Sequence, residues 1–278
     1  MPGMSVGEAL AEGRRALARR SDTAGMDAQV VLAEIAGQSR EWLLAHPEAP
    51  LLPAQQSGFS SAVRRLADGE PLAYVLGWWE FYGRRFRVSP EVLIPRPETE
   101  LLVDTALKAV ARRPAGTRAV DLGTGSGCIA ITLALESPST RVVATDLSTA
   151  ALLIARDNAR RHGVLGRIGF ARFDLADGLA LQDAVLVANL PYVPAGEAAS
   201  MRFEPHLALE AGDDGLALIR RLLDQFSVCR PQRTTVLLEI GAGQGDRILG
   251  MAEATCSPLR AGVSPDLAGR DRVLGLEF

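Results

Sequence analysis

The chain has 278 residues, 47% of them hydrophobic, and a formal net charge of -3 at pH 7. That is enough apolar material for one large domain, or a large one beside a small one, and the second arrangement is expected. The acidic balance excludes a global basic surface for neutralising phosphates, so a protein or small-molecule partner is expected and only a local basic patch would serve nucleic acid.

Residues 4 to about 70 carry Ala, Leu, Val and Arg at helical spacing, as in Ala28 to Ala36 and Phe59 to Leu66, with breaks at Gly37, Pro47 to Pro53 and Gly69 to Pro71. This predicts a module of four or five short helices. Tyr74 to Val88 is aromatic and β-branched, interrupted by Gly77 and Gly83, and predicts a β-hairpin between two domains. From about Leu101 apolar strand-like runs alternate with helical stretches: Arg118 to Leu122, Arg141 to Asp146, Ile168 to Phe173, Ala184 to Asn189 and Thr235 to Ile240. Such alternation predicts a parallel sheet covered by helices. The expected boundaries are a helical bundle at 1–72, a hairpin linker at 73–94 and an α/β domain at 95–278.

Cys128, Cys229 and Cys256 form no C-x-x-C pair, and His46, His162 and His206 are scattered without ligand spacing, so no metal site or disulfide framework is expected. A reducing compartment, the cytoplasm, follows. Met1 to Arg20 lacks an apolar core suited to a signal peptide, and no run is long enough for a membrane span. There is no G-x-S-x-G elbow, and the one lysine, Lys108, follows no glycine loop, which removes hydrolase and P-loop readings.

Two motifs carry chemistry. Ala119 to Ala130 is an apolar strand running into Gly123-Thr124-Gly125-Ser126-Gly127 and then a helix. Glycines there allow positive φ and close approach of a ligand, and the helix start supplies unpaired N–H groups. Cys128 stands where the dinucleotide fingerprint G-x-G-x-x-G needs its third glycine, which weakens an NAD reading. Asp146 ends the next apolar run, placed to accept both ribose hydroxyls of an adenosine. The pair fits S-adenosylmethionine.

The second motif, Asn189-Leu190-Pro191-Tyr192, ends the fourth apolar run, where ligands of open α/β sheets bind. Asn189 Oδ1 and the Leu190 carbonyl can each accept one N–H of a planar NH2 group, and Tyr192 can pack on its π face. Such a nitrogen is a poor nucleophile because its lone pair is delocalised, so orientation is the useful contribution. Without a ligand, the same motif would simply be a loop held by an Asx turn and two prolines.

The sequence resembles the HemK/PrmC protein-glutamine N5-methyltransferases over nearly its whole length. The resemblance is carried by Glu70 to Gly77, Glu80-Phe81, Val92 to Glu100, the glycine loop, Arg202 to Pro205, Gly212 to Leu216, Leu238 to Gly241, Gln244-Gly245 and Asp266 to Arg272. It implies a Rossmann-like class I S-adenosylmethionine-dependent fold with a mostly parallel seven-stranded sheet, a small N-terminal helical domain and a linking hairpin. It also implies transfer of methyl to the glutamine of the Gly-Gly-Gln loop of class I peptide chain release factors, in the cytoplasm, with S-adenosylhomocysteine as product, the helical domain recognising the release factor and a monomer the expected state. By the same resemblance Gly123 to Gly127 cradle the cofactor, Leu175 lies beside its adenine, Arg96, Glu98 and Thr99 sit on a loop closing near its methionine end, and Thr99 and Asn189 are counted with Asp146 among the cofactor-binding residues. The family has Asn-Pro-Pro-Tyr where this chain has Leu190, and Asn-Leu-Pro-Tyr also looks like the motif of rRNA adenine dimethylases. A ribosomal-protein glutamine or adenine in RNA is therefore the alternative target, with Arg14 to Arg20 or Arg156 to Arg167 as the basic surface it would need. A cofactor-binding protein without transfer activity is a third reading, and the intact Asn189 and Tyr192 speak against it.

Overall fold

The structure is a computed structural model that describes residues 3–194, 196, 202–205 and 211–278. It divides into two compact units, 1–78 and 79–278.

The first unit holds α1 (Val6–Leu17), α2 (Ala24–Ala36), α3 (Arg40–Ala45), α4 (Pro53–Ala67) and α5 (Leu72–Leu76). Each start has a chemical reason. Ser5 and Glu8 form a reciprocal capping box on α1, Ser39 caps α3, and Pro53 opens α4 where no N–H is needed. Val6, Leu17, Val31, Leu32, Leu43, Phe59 and Val63 face inward as one apolar cluster. Residues 74–76, expected to open the hairpin, belong instead to the helical turn Leu72–Leu76. Pro71 precedes this turn, Arg65 Nη2 donates to the Tyr74 carbonyl at 3.2 Å, and Gly77 at φ +77° ends it.

The hairpin itself is β1 (Trp78–Phe81) and β2 (Arg84–Arg87). Tyr82 and Gly83 both have positive φ, the two-residue turn that matches strand twist.

The second unit continues with α6 (Thr99–Ala111), β3 (Arg118–Leu122), α7 (Cys128–Glu136), β4 (Arg141–Asp146), α8 (Thr149–Arg161), a 3-10 turn (Leu165–Arg167), β5 (Ile168–Arg172) and β6 (Ala184–Ala188). It closes with α9 (Ala217–Cys229), β7 (Thr235–Glu239), α10 (Gly245–Cys256), β8 (Arg260–Pro265) and β9 (Asp271–Glu277). The sheet has seven strands in the order β5-β4-β3-β6-β7-β9-β8; β3 to β7 pair in parallel and β9 runs antiparallel to β7 and β8. The mostly parallel, helix-covered sheet expected from the alternation is the one observed. Its inner strands are apolar on both faces: Val185 and Val187 join the cluster with α6 and α7, whereas Leu186 and Ala188 join the one with α9 and α10. Strand order reverses between β3 and β6, so the crevice outside their carboxyl ends lies between Leu122 and Ala188.

A buried asparagine ties the hairpin to this crevice. Asn158 of α8 accepts from Arg87 N at 2.8 Å and donates to Arg87 O at 3.0 Å and Ser126 O at 2.8 Å. Asn158→Ala leaves the buried Ser126 carbonyl and two half-buried Arg87 backbone groups short of a partner and is expected to cost about 1–3 kcal/mol, read as a lower urea midpoint at unchanged m-value.

Candidate active site

The glycine turn after β3 is closed by a carboxylate beneath it. Asp121 is fully buried, and its Oδ2 accepts from Thr124 Oγ1 at 2.6 Å and from Ala130 N at 3.1 Å, clamping both ends of the turn. Gly123, Gly125 and Gly127 have φ of +68°, +53° and +82°, a region that L residues rarely adopt. Their surroundings differ. A Cβ on Gly127 would lie 3.0 Å from Ala155 Cβ and Ile131 Cδ1, so that glycine lets α7 and α8 approach, whereas a Cβ on Gly125 would meet only Gly123 O at 4.0 Å. The side of the turn open to a ligand is therefore at Gly125. Thr124 and Ser126 are buried, and the Thr124 hydroxyl points to Asp121, so what these two positions can offer a ligand is backbone.

Asp146 ends β4 beside that opening. Oδ2 accepts from Gly125 N at 2.9 Å and Oδ1 from Ser148 N at 2.8 Å, which leaves each oxygen a further lone pair for hydroxyl donors. Burial raises the Asp146 pKa, against the backbone N–H groups that favour its charge. Burial pushes Asp121 up to about 7. Because that acid holds its proton more tightly when folded, its contribution to stability is complete below about pH 4 and is lost as pH rises through about 7. Asp121→Asn is expected to flatten the fall in Tm between pH 5 and 8, measured by thermal melts in a pH series.

Leu175 follows β5 with φ +55° and packs on the cluster of α9. Its turn is held from both sides by Gln225, which accepts from Ala176 N at 2.8 Å and donates to Asp174 O at 3.3 Å. Phe173 N donates to Asp146 O at 3.2 Å, which places the turn next to Asp146.

The second motif leaves β6 on the other side of the crevice. Asn189 Nδ2 donates to Thr99 Oγ1 at 3.0 Å, so Thr99, at the start of α6, meets the motif. Leu190 is buried with Leu122, Ala188, Leu216 and Ile240, and its Cδ2 would be 3.4 Å from a Cβ on Gly123. Its side chain fills core, and the carbonyl that it presents is one that proline shares. Tyr192 Oη donates to Glu239 Oε1 at 3.0 Å, and Gln244 Nε2 donates to Tyr192 O at 3.3 Å. Burial raises both the Tyr192 and Glu239 pKa values. Arg96 Nη2 reaches Glu204 Oε1 and Oε2 at 2.6 and 2.8 Å, joining the 96–99 loop to the segment after the motif.

Several contributors escape a reading by motif. Gly215, φ +73°, lets the 212–216 turn lie against the Tyr192 carbonyl, because a Cβ there would overlap that oxygen. Gln244 holds Gly241 N and Tyr192 O together, and Asp271 accepts from Gly245 N at 3.2 Å. Glu239, an acid at the end of an apolar strand, is the one whose position carried a visible signal. His46 and His162 bond backbone carbonyls, and His206 lies outside the described residues. Among the described residues no group of three or more His, Cys, Asp or Glu could hold a metal ion.

Comparison with known proteins settles the family. The PrmC N-terminal domain family matches residues 8–77 and the Methyltransferase small domain family matches residues 97–211. A release factor glutamine methyltransferase of Moorella thermoacetica is 40% identical over 275 residues, covering 97% of each chain. The chain belongs to the release factor glutamine methyltransferase family. A Bordetella pertussis member is 42% identical over 262 residues, covering 90% of this chain and 93% of that one, and a Neisseria gonorrhoeae member is 46% identical over 220 residues, covering 76% and 78%. The protein is thus an S-adenosylmethionine-dependent methyltransferase. Solved structures agree in fold: the human METTL16 catalytic domain bound to a MAT2A 3'UTR hairpin (hairpin 6) has a TM-score of 0.56 at 14% identity, covering 81% of each chain. The METTL16 N-terminal domain with S-adenosylhomocysteine has a TM-score of 0.54 at 13% identity, covering 89% of this chain and 94% of that one.

Proposed function

We propose that this protein transfers a methyl group to the side-chain amide nitrogen, N5, of the glutamine in the Gly-Gly-Gln loop of class I peptide chain release factors. The observation that carries it is the pairing of an open glycine turn at Gly125 with Asn189, whose amide nitrogen is committed to Thr99 and whose Oδ1 is thereby turned to accept from an NH2 group.

The residues fit the cofactor on chemistry visible in the structure: the turn is open at Gly125, and Asp146 beside it has lone pairs for two hydroxyls. Gly123 to Gly127 would hold the methionine and ribose part through backbone, Asp146 the ribose hydroxyls, and Leu175 the adenine, with Thr99 at the methionine end. S-adenosylmethionine, when bound, supplies an electrophilic methyl on a sulfonium. Asn189 Oδ1 and the Leu190 carbonyl accept the two amide protons, Pro191 stiffens the turn, and Tyr192 covers the amide's π face. An amide nitrogen attacks poorly, so holding its protons is what this site contributes, and the surplus proton leaves to solvent after transfer. In this reading the helical unit of residues 1–78 recognises the release factor, and the protein works in the cytoplasm as a monomer. No helix among the described residues is long and apolar enough to cross a membrane.

An RNA target would need free basic surface. Along α8 and beyond, Arg160 and Arg161 share the one carboxylate of Asp157 and stay 66% and 61% exposed, and Arg167 donates to the carbonyls of Ser137 and Pro138, so a labelling test and not charge pairing separates the two targets. The test is incubation of the protein and methyl-labelled S-adenosylmethionine with a class I release factor, its loop Gln→Ala variant and, separately, ribosomal RNA. Label on the wild-type factor alone supports the reading, and label on RNA alone overturns it.

A further inference from the structure

Glu239 has no step in the reaction as described, yet it is a buried acid, 1% exposed, at the carboxyl end of β7 in the crevice. A carboxylate removed from water has to be held by donors. On the catalytic side Tyr192 Oη donates to Oε1 at 3.0 Å, Oε2 is buried with no hydrogen-bond partner, and the Thr99 hydroxyl nearby favours the charged form. Thr99 Oγ1 already accepts from Asn189 Nδ2 at 3.0 Å, so its single proton is free to point at Glu239. Two bonds are made, Asn189 to Thr99 and Tyr192 to Glu239, and the Thr99 proton and the buried, unpartnered Glu239 Oε2 are left to complete one line of donors ending on the carboxylate. An ionised carboxylate accepts only, and so it can fix both hydroxyls as donors toward itself. A neutral acid or amide would donate to one hydroxyl and loosen the Asn189 amide, whose two ends are nearly isosteric.

We infer that Glu239 is a positioning residue for methyl transfer, which orients Thr99 and Tyr192 so that Asn189 presents Oδ1 to the substrate NH2 group. This rests on the assignment of Asn189 as the acceptor of the substrate amide. The groups facing Glu239 are Tyr192, Thr99, Glu98 ahead of α6, Arg272 of β9 and Cys128 of α7. Arg272 favours its charge and Glu98 opposes it, while burial, the largest influence, moves its pKa up. The ionised form is the productive one, so its contribution to kcat is present at high pH and lost as pH falls through that raised pKa.

The test compares the wild-type protein with Glu239→Gln, Thr99→Val, the double variant and Thr99→Ser, using a class I release factor and S-adenosylmethionine. Glu239→Gln is expected to lower kcat by about 10- to 100-fold with both KM values within about twofold, the mark of lost orientation rather than lost binding, and Thr99→Val to lower kcat by a similar factor. The double variant should be no slower than the slower single one, Thr99→Ser should stay near wild type, and Glu239→Gln should lose one acidic inflection of the kcat–pH profile that wild type shows. Wild-type kcat and an unchanged profile in Glu239→Gln, or effects that multiply in the double variant, would overturn the inference. Should Glu239→Gln lose its cooperative melt, the kcat–pH profile of Thr99→Val decides: loss of the acidic inflection supports the inference, and its persistence at the wild-type position overturns it. Asn189→Ala separates the underlying reading, which fails if that variant stays active, whereas an inactive Asn189→Ala beside a fully active Glu239→Gln defeats the positioning role only.

Discussion

Asn189→Ala is expected to lower kcat for methyl transfer by about 10²–10³-fold, the usual loss when one preorganised hydrogen-bonding group is removed from a reacting centre. The substrate nitrogen cannot be activated by simple deprotonation, because an amide holds its protons at any working pH, so the rate depends on how firmly the NH2 group is aimed. Asn189 is itself aimed, through Thr99 at 3.0 Å, and alanine removes the acceptor while leaving the apolar wall of Leu190 in place. Cofactor affinity, followed by calorimetry, should change little. A variant that keeps its kcat would show that the substrate amide is held elsewhere.

Asp146→Ala is expected to act on the other half of the reaction. Hydrogen bonds to a charged acceptor contribute about 1.5–3 kcal/mol each, so losing two ribose contacts should weaken cofactor binding about a hundredfold or more. The same carboxylate holds Gly125 N at 2.9 Å and Ser148 N at 2.8 Å, and the turn would loosen as well. The expected signature is a raised Kd for S-adenosylmethionine in titration calorimetry, with kcat at saturating cofactor falling much less. An unchanged Kd would move the ribose away from β4.

What could be read from residues alone, and what could not, follows from how local each cause is. The glycine turn was legible because positive φ at Gly123, Gly125 and Gly127 is a demand on residue type at each position. The inner strands were legible because a strand buried on both faces must be apolar throughout, as Ala184–Ala188 is. The edge strand Arg260–Pro265 is mostly exposed and has no such run, so no pattern announces it. Residues 74–76 look like the start of the hairpin by composition, but Pro71 ahead of them and Gly77 after them favour one helical turn.

In the site, Asn189 to Tyr192 stand together in the chain, and their chemistry can be inferred from the motif. Two of their supports cannot, since Gly215 and Gln244 reach them from other elements, whereas Thr99 was placed at the site by resemblance and Glu239 stands out as an acid ending an apolar strand. Gly215 in particular is required by the oxygen of Tyr192, a neighbour only in three dimensions. The resemblance marked the blocks around Gly212, Leu238, Gln244 and Asp266 without saying what they do. The structure gives three of them local work beside Tyr192 and Glu239. The fourth, through Asp266, holds Arg270 and Arg272 at the turn into β9.

The most direct test of the central claim is fragment-ion mass spectrometry of a class I release factor after incubation with the protein and S-adenosylmethionine. A single methyl group on the side-chain amide of the loop glutamine is the predicted result. A methyl group on any other residue, or an unmodified factor beside methylated ribosomal RNA, would contradict it.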